Sequence, residues 1–339
     1  MTALPAGKSS FLAAYLKPLD AALSDPETVE IVLNPDGTVW QEVRGAEYMT
    51  RLPGVSFSPA EARDLGTAIA SATLGQISDR KPLVSGKIEI GKFPVRAQVV
   101  QTPVVEGGPA IALRRYGEEQ LRLTDIGLLQ DGLVDLDAER RAKAHQVRDL
   151  TEAGDIRAAM QLCVEERLNV MISGGTSTGK TTFARALLDL MCSPERMVTI
   201  EDAFELFPPQ PNRVMLKAER ALGSERSAAR LLECALRLRP DRIILGELRG
   251  EECKTFLDAI NTGHSGSVTT IHADTAQKAL DRLALMVMSV GINMSFAEVR
   301  RYAASSIDVV VQLGRRNGRR GILQVWLPVS VSGDPAPEG

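Results

Sequence analysis

Aromatic side chains make up only 4% of the 339 residues. A groove that holds single-stranded nucleic acid needs aromatics interleaved with basic side chains, so this scarcity counts against a nucleic-acid motor. Charge of one sign is also missing: 40 basic against 43 acidic residues leave a net charge of −3, which argues against general affinity for nucleic acid and leaves only a local basic patch open. No apolar run approaches the ~20 residues of a membrane span, and the N-terminus lacks a basic segment followed by a secretory core. A cytoplasmic protein is expected. The four cysteines, Cys163, Cys192, Cys234 and Cys253, contain no C-x-x-C pair, so neither a zinc site nor a disulfide framework is suggested, and they read as small buried thiols. His145, His264 and His272 are the only imidazoles, and none has metal-ligand spacing with a cysteine.

What the chain does have is the stretch Asn169–Asp189, which reads as a buried strand, a glycine-rich turn and a helix. Gly174, Gly175, Thr176, Ser177, Thr178, Gly179, Lys180, Thr181 and Thr182 match the spacing G-x-x-x-x-G-K-[ST] of a phosphate-binding loop. Glycine is needed there because a side chain would block both the positive-φ turn and the approach of backbone N–H groups to phosphate oxygens. Lys180 can place a charge on the β- and γ-phosphates of ATP, Thr181 can offer its hydroxyl to Mg²⁺, and the following helix supplies the positive end of its dipole.

Before the loop, Phe11, Leu12, Tyr15, Leu16, Leu19 and Leu23 recur at helical spacing, an amphipathic helix suited either to packing or to lying on a membrane surface. Asn34-Pro-Asp-Gly37 between two apolar runs predicts a hairpin, Ser58 and Pro59 start a helix to about Leu74, and strand patterns follow at 87–90, 93–100 and 110–113. Residues 1–115 thus form a small α+β domain. Dense mixed charge over 116–150 reads as a linker with a solvated helix. Over 151–330 strands (169–173, 197–201, 242–246, 266–271) alternate with helices (180–191, 224–238, 251–261, 275–289), implying an α/β domain with a mainly parallel sheet. A helix near 295–304 precedes a hairpin whose tip is Asn317-Gly318, with Arg315, Arg316, Arg319 and Arg320 read as a solvated turn rather than a patch for anionic lipid or DNA. Residues 331–339 are expected to be disordered.

Two apolar strands after the loop end in carboxylates. Met197–Asp202 delivers Glu201 and Asp202, assigned to the Mg²⁺ and water network, and Ile243–Glu247 delivers Glu247, the candidate general base, with Gly246 leaving room beside it. His272 ends a further strand, where it could sense a γ-phosphate by donating a hydrogen bond.

Together these residues resemble the secretion-superfamily traffic ATPases, and most closely the type IV secretion and conjugation branch. Gly174–Thr182 resembles the Walker A motif, Thr199–Leu206 the Asp box, Leu238–Arg249 the atypical Walker B ending in Glu, and Thr262–Ala273 the His box. The resemblance implies a RecA-like P-loop NTPase domain, a homo-hexamer powered by ATP and Mg²⁺, and inner-membrane components of a type IV secretion system as partners. It also implies a peripheral place at the inner membrane, and N-terminal-domain arginines that reach the phosphates; the matching positions are Arg96 and Arg114, or Arg115 one place along. Direct nucleic-acid binding is not expected. The rivals are a RecA-type nucleic-acid motor and a scaffold that binds ATP without turning it over.

Overall fold

The computed structural model describes residues 6–91, 93–116, 122–129, 132–221 and 223–328. The tail at 331–339 lies outside them. In chain order the elements are α1 (Ala6–Leu16), α2 (Asp20–Ser24), β1 (Thr28–Leu33), β2 (Thr38–Val43), β3 (Thr50–Ser56), α3 (Pro59–Ala72), β4 (Leu83–Ile90), β5 (Phe93–Val100) and β6 (Ala110–Arg115). There follow α4 (Leu136–Glu152), α5 (Ile156–Glu165), β7 (Val170–Ser173), α6 (Lys180–Leu190), β8 (Met197–Glu201), β9 (Arg213–Lys217), α7 (Ala228–Ala235), β10 (Arg242–Leu245), α8 (Glu252–Asn261) and β11 (Val268–Ile271). The chain closes with α9 (Ala276–Met288), α10 (Phe296–Ser306), β12 (Val309–Arg316) and β13 (Arg319–Trp326). No helix among the described residues is long and apolar enough to cross a membrane.

The chain divides into two compact units, Met1–Gly117 with Cys192–Gly246 and Glu118–Met191 with Glu247–Gly339. In the first, six antiparallel strands run in the order β3-β2-β1-β6-β5-β4. The alternation of the strands sends Ile31, Leu33, Val95, Ala97, Val99, Ile111 and Leu113 to one face, where they meet Leu65 and Ile69 of α3. That helix starts where the sequence says: Ser58 and Glu61 form a reciprocal capping box, with Pro59 in the first turn. The N-terminal amphipathic stretch is not one helix. Pro18 lacks an N–H to donate, and a single 3-10 turn at Lys17–Leu19 separates α1 from α2. Leu12, Leu16, Leu19 and Leu23 are nonetheless all buried in this core, so the apolar face is used for packing and only Phe11 stands out, 66% exposed.

The same unit holds the parallel trio β10-β8-β9, in which Ile243 lies opposite Val198, and Thr199 opposite Met215. In the second unit β7 runs parallel between β11 and β12, and β13 closes antiparallel on β12 around the expected Asn317-Gly318 tip. All four residues of β7 are buried, the continuous apolar run of a strand covered on both faces. The solvated helix expected in the linker is α4, capped by Asp135 and burying only Ala144 and Val147.

Three elements are not in the sequence reading: β3, α5 and β9. The helix expected over 224–238 is shorter, because Ser227 caps α7 and residues 224–227 form turns instead. One cysteine also corrects the reading: Cys163, Cys234 and Cys253 are buried thiols, but Cys192 is exposed, in the loop after α6 where the chain has left the core.

Candidate functional site

The site grows from the end of β7. Gly174 is followed by a loop in which Ser177 takes φ +58° and Gly179 φ +95°, the latter as the left-handed cap of α6. A Cβ on Gly174 would lie 2.5 Å from the Thr178 hydroxyl and 2.9 Å from the Leu313 carbonyl, so only glycine fits between the loop and β12. Thr178 closes the turn from within, donating to the Gly175 carbonyl at 3.0 Å. Thr176, Ser177 and Thr182 are exposed, whereas Gly175, Gly179, Lys180 and Thr181 are half-buried.

Lys180, the first residue of α6, turns its ammonium back onto the loop and donates to the carbonyls of Gly174 (3.0 Å) and Gly175 (3.1 Å). Its Nζ also lies 3.4 Å from both ring nitrogens of His272. His272 Nε2 is in turn 3.3 Å from Oε1 of Glu247, whose other oxygen accepts from the Arg249 guanidinium. Three residues singled out separately in the sequence, Lys180, Glu247 and His272, therefore form one cluster beside the phosphate loop. Burial lowers the Lys180 pKa, and nearby Arg249 lowers it further against the pull of Glu247. Burial likewise holds His272 below its ordinary value, outweighing the attraction of Glu247. Arg249 is held charged, chiefly by its bond to Glu247.

Arg249 had no role in the sequence reading. The signal for it is the period of an extended segment: Leu248 donates its N–H to the Thr270 carbonyl at 2.8 Å and is buried, which turns Glu247 and Arg249 to the same side.

Glu201 and Asp202 lie in the other unit, and their surroundings differ. Glu201 is buried and accepts from the backbone N–H groups of Glu205 (2.9 Å) and Leu206 (3.0 Å) and from the Thr199 hydroxyl. Its pKa is raised, because burial outweighs those three bonds. Asp202 is half-exposed and ion-paired with Arg220. Gly246 leaves room for Glu201 as well: a Cβ there would sit 3.3 Å from the Glu201 Cγ.

The N-terminal arginines are also distinguishable. Arg96 and Arg114 are exposed cross-strand partners on β5 and β6, in a row with Lys87 on β4 and Glu30 on β1. Arg115 points elsewhere: it donates to the Asp25 carbonyl and stacks 4.7 Å from the Phe93 ring.

Whether ATP·Mg fits can be judged from these residues. The loop is a cradle that a Cβ at Gly174 would fill, and its lysine is held by loop carbonyls that a triphosphate can replace. Among the described residues no three His, Cys, Asp or Glu side chains gather as a metal site. Beside the loop is a cavity of ≈ 690 Å³, walled by Thr178, Thr182, Phe183 and Ala186 on one side and Ile322 to Val325 of β13 on the other. Thr182 and Ala186 are four apart and share the outer face of α6, next to the loop's exposed end.

The chain also resembles known proteins over most of its length. Residues 84–319 match the family model described as "Type II/IV secretion system protein". The chain is 32% identical over 327 residues to the type IV secretion system protein VirB11 of Brucella suis, covering 92% of this chain and 89% of that protein. It is 33% identical over 310 residues to the conjugal transfer protein TrbB of Rhizobium radiobacter, covering 91% and 85%. Among solved structures it resembles the crystal structure of the VirB11 ATPase from the Brucella suis type IV secretion system in complex with sulphate, with a TM-score of 0.82, 30% identity, and coverage of 94% and 95%.

Proposed function

The chain belongs to the type II/IV secretion system protein family, on its type IV secretion and conjugal-transfer branch, and is an ATP hydrolase; from that premise we propose that it works as a homo-hexamer driving substrate translocation or pilus assembly. The observation that carries this reading is the convergence of Lys180, His272 and Glu247 on one phosphate loop. We assign 1–115 to an N-terminal domain, 116–150 to a linker and 151–330 to a RecA-like ATPase domain.

Bound ATP·Mg supplies the γ-phosphoryl group and the metal charge that offsets its oxygens; the residues that would hold it are 174–182, with Thr181 toward the metal and Glu201 and Asp202 toward its waters. Lys180 gives up two carbonyls and clamps phosphate oxygens. Glu247 orients the attacking water and takes its proton. A carboxylate gripped by a guanidinium is a poor base, so Arg249 must release Glu247 for that step. His272, kept neutral by its lowered pKa, donates one ring N–H toward the phosphate. The cavity beside Thr182 takes the nucleoside, and Arg96 and Arg114 are the cations of the N-terminal domain assigned to the phosphates. Partners are inner-membrane components of the secretion system, with the protein cytoplasmic and peripheral at that membrane.

Phosphate release and ATP binding measured on the whole chain test this reading, together with light scattering with and without ATP. Lys180→Ala should lose binding and reduce turnover by about 10²–10³-fold. A chain that stays monomeric with ATP, or a Lys180→Ala variant that hydrolyses normally, would sink it.

A further inference from the structure

The β12–β13 hairpin ends in four guanidinium groups with no acidic partner among the described residues. Arg315 lies directly opposite Arg320, and Arg316 opposite Arg319, and like charges so placed repel. All four are exposed, and none makes an ion pair among the described residues. Neighbours on a strand face opposite ways, so each face of the ribbon shows two of them.

The hairpin also outruns its sheet. β7 pairs with β12 only over Val309–Gln312; beyond that, Leu313–Arg316 pairs with β13 alone. Four residues at ~3.3 Å each carry the tip about 13 Å past the last parallel neighbour. That exceeds the screening length of about 8 Å at physiological salt, so the tip acts as a cation although the chain carries a net charge of −3.

We propose that this hairpin tip is a docking element for an anionic membrane surface, its arginines engaging the headgroup phosphates of acidic phospholipids. The inference rests on the peripheral membrane reading above and names the surface responsible. The N-terminal helices are not available for it, because their leucines are buried in the core. A ribbon that meets a plane of phosphates end-on can use the arginines of both faces at once. Nucleic acid is the poorer fit: no aromatic side chain occurs from Leu313 to Val325 to stack a base, and a duplex backbone is tracked by one face rather than two.

Flotation of the full-length protein with vesicles of about one-third phosphatidylglycerol in phosphatidylcholine, against phosphatidylcholine alone, is the test. The altered pair is Arg316→Glu with Arg319→Glu, which spares Arg320 at the edge of the nucleotide-side cavity. Wild type should bind the acidic vesicles and release them as salt rises. The double variant should bind at least about tenfold less, with ATP turnover and melting temperature unchanged. Arg316→Lys with Arg319→Lys should retain binding. Should the charge-reversed pair fold poorly, Arg316→Gln with Arg319→Gln serves, with the same expected loss. A variant that floats like wild type overturns the hairpin's role while leaving membrane association standing. Wild type that binds neither vesicle overturns both. Loss of binding to a single-stranded oligonucleotide without loss of vesicle binding would reassign the tip to nucleic acid.

Discussion

Each unit holds a cluster of charge, and the two are built in opposite ways. In the first, Arg196 is completely buried and donates to the Leu238 carbonyl at 2.7 Å, to Asn34 at 2.6 Å and to Asn212, while Asp241 takes its backbone N–H at 2.6 Å. Around it Arg239 grips Glu42 with two bonds of 2.9 and 2.6 Å, and Arg242 grips Glu195 at 2.7 and 2.9 Å. Burial lowers even the Arg196 guanidinium to about 10, and it stays charged. In the second, Lys180, His272, Glu247 and Arg249 are partly open to water, and the lysine leans on carbonyls rather than on an acid. Buried charge held by several short bonds at once fixes geometry. Open charge with replaceable partners can exchange them for a ligand, which is why chemistry is assigned to the second cluster and structure to the first.

The comparison breaks most visibly at Glu247. Glu247→Gln should cut ATP turnover by about 10²–10⁴-fold with ATP binding retained and the melting temperature unchanged. Turnover at the wild-type rate would remove the base from the second cluster. The converse test is Arg196→Met, which takes the guanidinium donors away from the buried Leu238 carbonyl and the Asn34 amide oxygen; it should cost about 2–4 kcal/mol in denaturant unfolding. A fully stable variant would show that the buried network fixes nothing.

A smaller effect sharpens the contrast through pH. Glu30, beside Arg114 on the N-terminal sheet, has its pKa raised to about 7, chiefly by burial, against the attraction of Arg114. Because the folded value exceeds the unfolded 4.5, the protonated carboxyl favours folding in acid, and that contribution is lost as pH rises through about 7. Glu30→Gln should therefore match wild type below about pH 4 and exceed it by about 1–3 kcal/mol near pH 8. A stability difference that ignores pH would rule out the buried carboxyl as its source.

Local chemistry was legible in the sequence and non-local chemistry was not. The phosphate loop, the Ser58 cap and the Asn317-Gly318 tip each depend on residues within a few positions, and each appears where the pattern places it. Strand β3 was hidden because Pro53 and Gly54 interrupt it and most of its residues are exposed, as an edge strand tolerates. Strand β9 is five residues after a proline-rich turn, too short for its alternation to register. The contact between Lys180 and His272 spans 92 positions, and that between Arg196 and Asn34 spans 162. Spacing along the chain could nominate the first pair, by chemistry, but had no means of nominating the second. Leu16 and Leu23 were visible as an apolar stripe, yet only packing decides whether such a stripe faces protein or lipid.

The inward turn of Lys180 has a bearing on the turnover cycle. Two loop carbonyls hold its ammonium, and hydrogen bonds to a charged group contribute about 1.5–3 kcal/mol each. An incoming triphosphate must displace them, which weakens its net hold. Once the γ-phosphate has gone, the same two oxygens stand ready to recapture the cation. On the ATPase mechanism proposed above, the loop would thereby favour its own resetting, and spent nucleotide would face a competitor for the lysine that never diffuses away.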